Sequence, residues 1–166
     1  MKVLSIAYSF LIIVVSYFHA LPVNAANAHV HGQGQIFISQ EENRWQISLT
    51  LPAADMLGFE HTPETDAERG ALKKVAERLE NNSQIVELSG RCSVTKVKHN
   101  LENLKQGGNG HHDIDISYTF DCERGITEVQ VLFFKWVATD LVKAQWVLEQ
   151  GQGTQDVTPA KPFIKW

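Results

Sequence analysis

Arg44-Trp45-Gln46-Ile47-Ser48-Leu49-Thr50-Leu51 alternates large apolar and polar side chains without a break. Successive side chains on a strand point to opposite faces, so this stretch predicts a strand that buries Trp45, Ile47, Leu49 and Leu51 on one side. Upstream, residues 33–39 (QGQIFIS) read as a partner strand, and Glu41-Glu42-Asn43 as the turn that makes the two a hairpin. Far downstream the same period returns. Ile114, Ile116, Tyr118, Phe120 and Cys122 alternate with Asp113, Asp115, Ser117, Thr119 and Asp121, which puts Cys122 on a buried face.

Between these strands the pattern changes. Residues 52–63 (PAADMLGFEHTP) have no period and read as a structured loop with room for a short helical turn. A helix is predicted from about residue 64 to 82: Ala71, Leu72, Val75, Ala76 and Leu79 form its apolar stripe, and Thr65 and Glu68 have capping-box spacing. Residues 85–88 and 91–100 read as one strand or two with a break near Gly90, and 107–110 as a flexible loop. Residues 128–137 are apolar on both faces and predict a central strand. Residues 144–150 predict another strand, and 151–166, with Pro159 and Pro162, irregular chain. The expected fold class is α+β: an antiparallel β-sheet of about five to seven strands with one main α-helix, in a single domain.

The N-terminus has its own logic. Lys2 precedes an apolar run over residues 3–18, and small residues follow at Ala25, Ala26 and Ala28. A charged start, an apolar middle and a small-residue exit describe a secretory signal, expected to be cleaved after Ala25 or Ala28. The run is short of the ~20 residues a spanning helix needs, and no basic cluster follows it. Residues 1–28 are therefore expected to be a cleavable signal peptide, and 29–166 a single metal-binding α+β domain. About 140 residues remain, the size of one domain. The formal charge is −4 with Lys and Arg scattered, so nucleic acid is not an expected partner, nor is a membrane once the signal is gone. The two cysteines, Cys92 and Cys122, favour a disulfide in an exported chain over paired thiolate ligands or two free thiols. Closing a loop of about thirty residues contributes roughly 3–4 kcal/mol in the chain-entropy model.

No GxSxG, HExxH or P-loop is present, and no enzyme activity is expected. The histidines carry more. His29-Val30-His31-Gly32 offers two imidazoles at strand spacing; Glu60-His61 sits in the irregular loop; His111-His112-Asp113-Ile114-Asp115 opens a strand after a glycine-rich loop. Imidazole with carboxylate suits zinc, and also copper or nickel. Each cluster also reads as solvated polar surface, and His99 as ordinary surface. A chain beginning at His29 would pair its amino group with that imidazole as a copper chelate. A non-metal ligand carrier or protein-interaction domain is the other alternative, and an exposed apolar patch of Phe59, Trp136 or Trp166 would favour it.

Two stretches together, Ala28-His29-Val30-His31-Gly32 and Leu51-Pro52-Ala53-Ala54-Asp55-Met56-Leu57-Gly58-Phe59-Glu60-His61, resemble the zinc-regulated periplasmic proteins of the ZrgA-like family. The likeness continues through the helix, Cys92, Tyr118–Cys122 and Gly151-Gln152-Gly153, essentially the whole chain after the signal. It implies a Gram-negative periplasmic protein that binds zinc and assists its uptake without catalysis, together with a periplasmic component of a zinc import system. By position, His29, His31, Glu60 and His61 fall in the family's signature stretches. His111, His112, Asp113 and Asp115 stand where relatives carry a longer histidine-rich tract. Shortened to HHDID, that tract holds one ion at most, with help from another cluster.

Overall fold

The computed structural model describes residues 30–105, 112–123 and 125–166. The expected signal peptide and the 107–110 loop lie outside them. Strand β1 (Gln33–Glu41) and strand β2 (Arg44–Pro52) form the expected hairpin, and helix α1 (Ala53–Leu57) follows directly. Next come helix α2 (Asp66–Leu79), β3 (Val86–Leu88), β4 (Cys92–His99) and β5 (Asp113–Cys122), then β6 (Glu128–Val131), β7 (Leu141–Leu148), β8 (Gly151–Val157) and β9 (Phe163–Lys165).

Among the described residues these make one six-stranded sheet, ordered β4-β5-β2-β1-β7-β8, and one three-stranded sheet, β3-β6-β9. The two clearest alternating stretches of the sequence are each other's partners. β2 pairs antiparallel with β5, setting Trp45 against Phe120, Ile47 against Tyr118, Leu49 against Ile116 and Leu51 against Ile114. All eight are buried, so one face of the large sheet is a continuous apolar ladder. α2 covers part of it with Leu72, Val75 and Leu79, and the small sheet supplies Val86, Val129, Val131 and Ile164 to the same core.

Three fastenings secure these elements, the first of them between the sheet and α2. The Tyr118 hydroxyl donates to the Leu79 carbonyl at the end of α2. The start of α2 carries the expected capping box, with Glu68 N–H on Thr65 Oγ1 at 3.2 Å and Thr65 N–H on Glu68 Oε2 at 2.9 Å. Cys92 and Cys122 stand opposite each other in the β4–β5 ladder and form a disulfide. At the edge of the small sheet, the Gln155 amide takes the place of a missing strand: Nε2 donates to Phe163 O at 2.7 Å, and Lys165 N–H donates to Oε1 at 3.3 Å. Trp166 then stacks on Trp45 with ring centroids 5.6 Å apart, joining the C-terminus to the core.

The expected fold class is corrected. The chain is β-rich, with nine strands in two sheets and two α-helices among the described residues, not one antiparallel sheet beside a single helix. β3, β6 and β9 are three or four residues long, too short for a period to show. β8 (GQGTQDV) is an edge strand whose side chains are mostly polar, so the stretch expected to be irregular carries no apolar alternation to betray it. The predicted central strand over 128–137 ends at Val131. Beyond it, Phe133–Lys135 is a 3-10 turn, and the second apolar face belongs to that turn. β1 also pairs parallel with β7, an alignment between segments too far apart for a local pattern to encode.

Candidate metal centre

Strand direction decides which residues can meet. β2 runs back toward the start of β1, β5 starts beside the end of β2, and β7 runs parallel to β1. The start of β1, the end of β2, the start of β5 and the start of β7 therefore share one end of the large sheet. Gln35 opposes Thr50, Pro52 opposes Asp113 and Gln33 opposes Leu141. The signature stretch and the HHDID stretch both abut this end.

His31 sits just before β1, in a turn closed by Gln33 N–H on Val30 O at 3.0 Å. Gly32 has φ +77°, a left-handed conformation that favours glycine. His31 Nδ1 lies 3.6 Å from Glu60 Oε1 and 3.9 Å from Asp55 Oδ1. Two donors bound at about 2.1 Å to a tetrahedral zinc stand about 3.4 Å apart, so these separations suit donors converging on one ion.

Asp55 escaped the sequence reading of donors, although it lies inside the signature stretch. It is 9% exposed, on α1. Its Oδ2 accepts from Gly32 N–H at 2.9 Å and from Thr139 Oγ1 at 3.0 Å. The available signal was a carboxylate among Ala53, Ala54, Met56 and Leu57, since a charge in an apolar turn needs partners. Its partners were not readable, because Thr139 lies 84 residues away.

The remaining candidates divide. His61 meets α2: Nδ1 contacts Thr62 O at 2.9 Å and Nε2 lies 3.7 Å from Glu68 Oε1. The Thr62 carbonyl, then the Glu68 and Glu64 charges, raise the His61 pKa. The Thr65 and Glu64 amides, with smaller help from His61, lower that of Glu68. The His112 carbonyl accepts from Ala53 N–H at 2.9 Å, which brings the HHDID stretch to the start of α1. Asp113 opens β5 opposite Pro52. Asp115 is engaged on the open face, with Oδ1 accepting from Thr50 Oγ1 at 2.8 Å and Oδ2 from Asn100 Nδ2 at 3.2 Å. His29 and His111 lie outside the described residues. His99 is not ordinary surface: its side chain is 16% exposed and its Nε2 lies 3.5 Å from Glu80 Oε1.

Among the described residues, no group of three or more His, Cys, Asp or Glu side chains is placed so that it could hold a metal ion by itself. His31 with Glu60 and Asp55 is the nearest approach of imidazole to carboxylate at this sheet end, and His29 adjoins it in sequence. A β-rich chain with imidazole and carboxylate gathered at one sheet end defines a candidate divalent-metal binder. The family comparison is more particular: the chain belongs to the ZrgA family of zinc uptake proteins, whose model matches residues 28–166. No curated protein matches the chain. No helix among the described residues is long and apolar enough to cross a membrane.

Proposed function

We propose that this chain is a non-catalytic, periplasmic zinc-binding accessory protein that takes up zinc at the end of its large sheet and hands it to an import system. The observation that carries the reading is the approach of His31 Nδ1 to Glu60 Oε1 and Asp55 Oδ1, at 3.6 and 3.9 Å. The family's role in zinc uptake supports the choice of zinc over copper or nickel. Mixed imidazole and carboxylate donors near solvent suit an ion that must leave again, whereas closed thiolate sites hold zinc structurally. Both cysteines are spent in a disulfide, which fits an exported protein and removes them as ligands. A signal peptide over residues 1–28 and a single domain over 29–166 belong to the same proposal, with His29, His111, His112 and Asp113 as further candidate donors; His61, engaged with Thr62 and Glu68 at α2, is not among them.

Calorimetric titration of the metal-stripped exported protein tests it. The parent is expected to bind about one zinc ion, and the His31→Ala/Glu60→Ala variant to lose at least tenfold in affinity. Equal binding by both would remove the sheet-end site. If the exported chain begins at Ala26, N-terminal sequencing ends the copper-chelate alternative.

An exposed apolar patch involving Phe59, Trp136 or Trp166 would have favoured the carrier alternative. Trp136 and Trp166 instead pack on the core, their indole N–H groups donating to Gln84 O and Ile126 O, both at 3.0 Å. Still open to that reading are a groove of about 520 Å³ beside α2, lined by Pro63, Leu72, Ala76 and Leu101, and the exposed side chains of Phe37 and Val147.

A further inference from the structure

We infer that Asp55 is the fixed ligand of the sheet-end site and that Thr139 is its positioning residue, an assignment that rests on the zinc reading above. Among the described residues, Asp55 and Thr139 are the buried polar side chains, at 9% and 2% exposure. They are bonded to each other, Thr139 Oγ1 donating to Asp55 Oδ2 at 3.0 Å. A carboxylate is costly to bury, and a fold that only needed to fill this space would place an apolar side chain there.

The bonding is lopsided in a way that suits a ligand. Both donors, Gly32 N–H and the Thr139 hydroxyl, hold Oδ2. Oδ1 is left toward the His31 imidazole at 3.9 Å, and the same imidazole nitrogen lies 3.6 Å from Glu60 Oε1. The backbone of Asp55 is held as well, its carbonyl accepting from Ala138 N–H at 2.9 Å. The residues on either side of this contact are pinned to β1: Asp140 N–H and Leu141 N–H both donate to Gly32 O, at 2.9 and 3.0 Å. Asp55 is thus fixed from three chain segments, whereas His31 is more than half exposed. A carboxylate held this way opposite a more exposed imidazole presents one preset coordination position, and the surrounding hydrogen bonds tune its direction.

Two conservative variants separate a ligand from a structural clasp. Asp55→Asn keeps an oxygen to accept from Gly32 and Thr139 but removes the charge. Thr139→Val keeps the shape but removes the hydroxyl, and Thr139→Ser restores it. Zinc affinity is measured by calorimetry on the metal-stripped protein, with thermal melting of the same samples as the control for folding. Expected are a loss of more than tenfold in Asp55→Asn with melting close to the parent, about tenfold in Thr139→Val, and recovery in Thr139→Ser. Parent-like affinity in Asp55→Asn, while His31→Ala has lost binding, overturns this inference and leaves the zinc site standing. A parent that binds no zinc overturns both.

Discussion

At the scale of the residue, chemistry concentrates where a local rule is broken. Gly32 adopts φ +77°, and a methyl group there would find space, the nearest atom being Asp140 Oδ2 at 3.7 Å, but not a comfortable backbone. Gly32→Ala is expected to lower stability by about 1–2 kcal/mol, read from denaturant unfolding. It should also weaken zinc binding, because the same residue donates to Asp55 and orients His31. Tyr118 shows the opposite case, a polar atom spent on architecture. Burial, and behind it the Glu80 charge, drives its pKa upward, and its hydroxyl serves the Leu79 carbonyl. Tyr118→Phe should cost about 1–2 kcal/mol and leave zinc affinity unchanged. The sequence announced Tyr118 as a buried strand residue but not its bond, since alternation reports a face and not a partner.

At the scale of the element, the long alternating strands and the capped helix were legible because each carries its own period. α2 begins where Thr65 and Glu68 placed it, within two residues of the expected start. Its cap has a definite pH sense. The Glu68 pKa is depressed in the folded chain, so the help it gives is present above the ordinary glutamate range and is lost as pH falls through the lowered value. The first turn of α2 should therefore fray on acidification before the sheet does, seen as early loss of amide protection at residues 66–69; simultaneous loss throughout would oppose this. The elements that were missed have physical reasons for silence. β8 is at a sheet edge, and its Gly153 lies under the Trp146 ring, where an added methyl would fall 2.3 Å from a ring carbon. Gly153→Ala should lower stability by about 1–3 kcal/mol through that overlap. A glycine pressed against a tryptophan across a hairpin looks, in one dimension, like a flexible loop.

At the scale of the whole molecule, the question left open by the sequence was whether its histidine clusters meet. Pairing answers part of it. β1, β2, β5 and β7 bring the ends that carry His31, Asp55, Glu60 and His112 to one side, while His61 turns to α2 and Asp115 to the open face of the sheet. The parallel β1–β7 alignment, invisible to local pattern, also delivers Thr139 to Asp55. The Cys92–Cys122 bridge lies across the β4–β5 ladder, within the sheet rather than at the donors. Replacing both cysteines by serine should lower stability by roughly 2–4 kcal/mol while leaving zinc stoichiometry intact. The central claim, that the sheet end holds the ion, is tested most directly by diffraction from zinc-loaded crystals at the zinc absorption edge. The account predicts an anomalous peak between His31 Nδ1, Glu60 Oε1 and Asp55 Oδ1; a peak confined to the His61–Glu68 pair, or none in protein shown to carry zinc in solution, would contradict it.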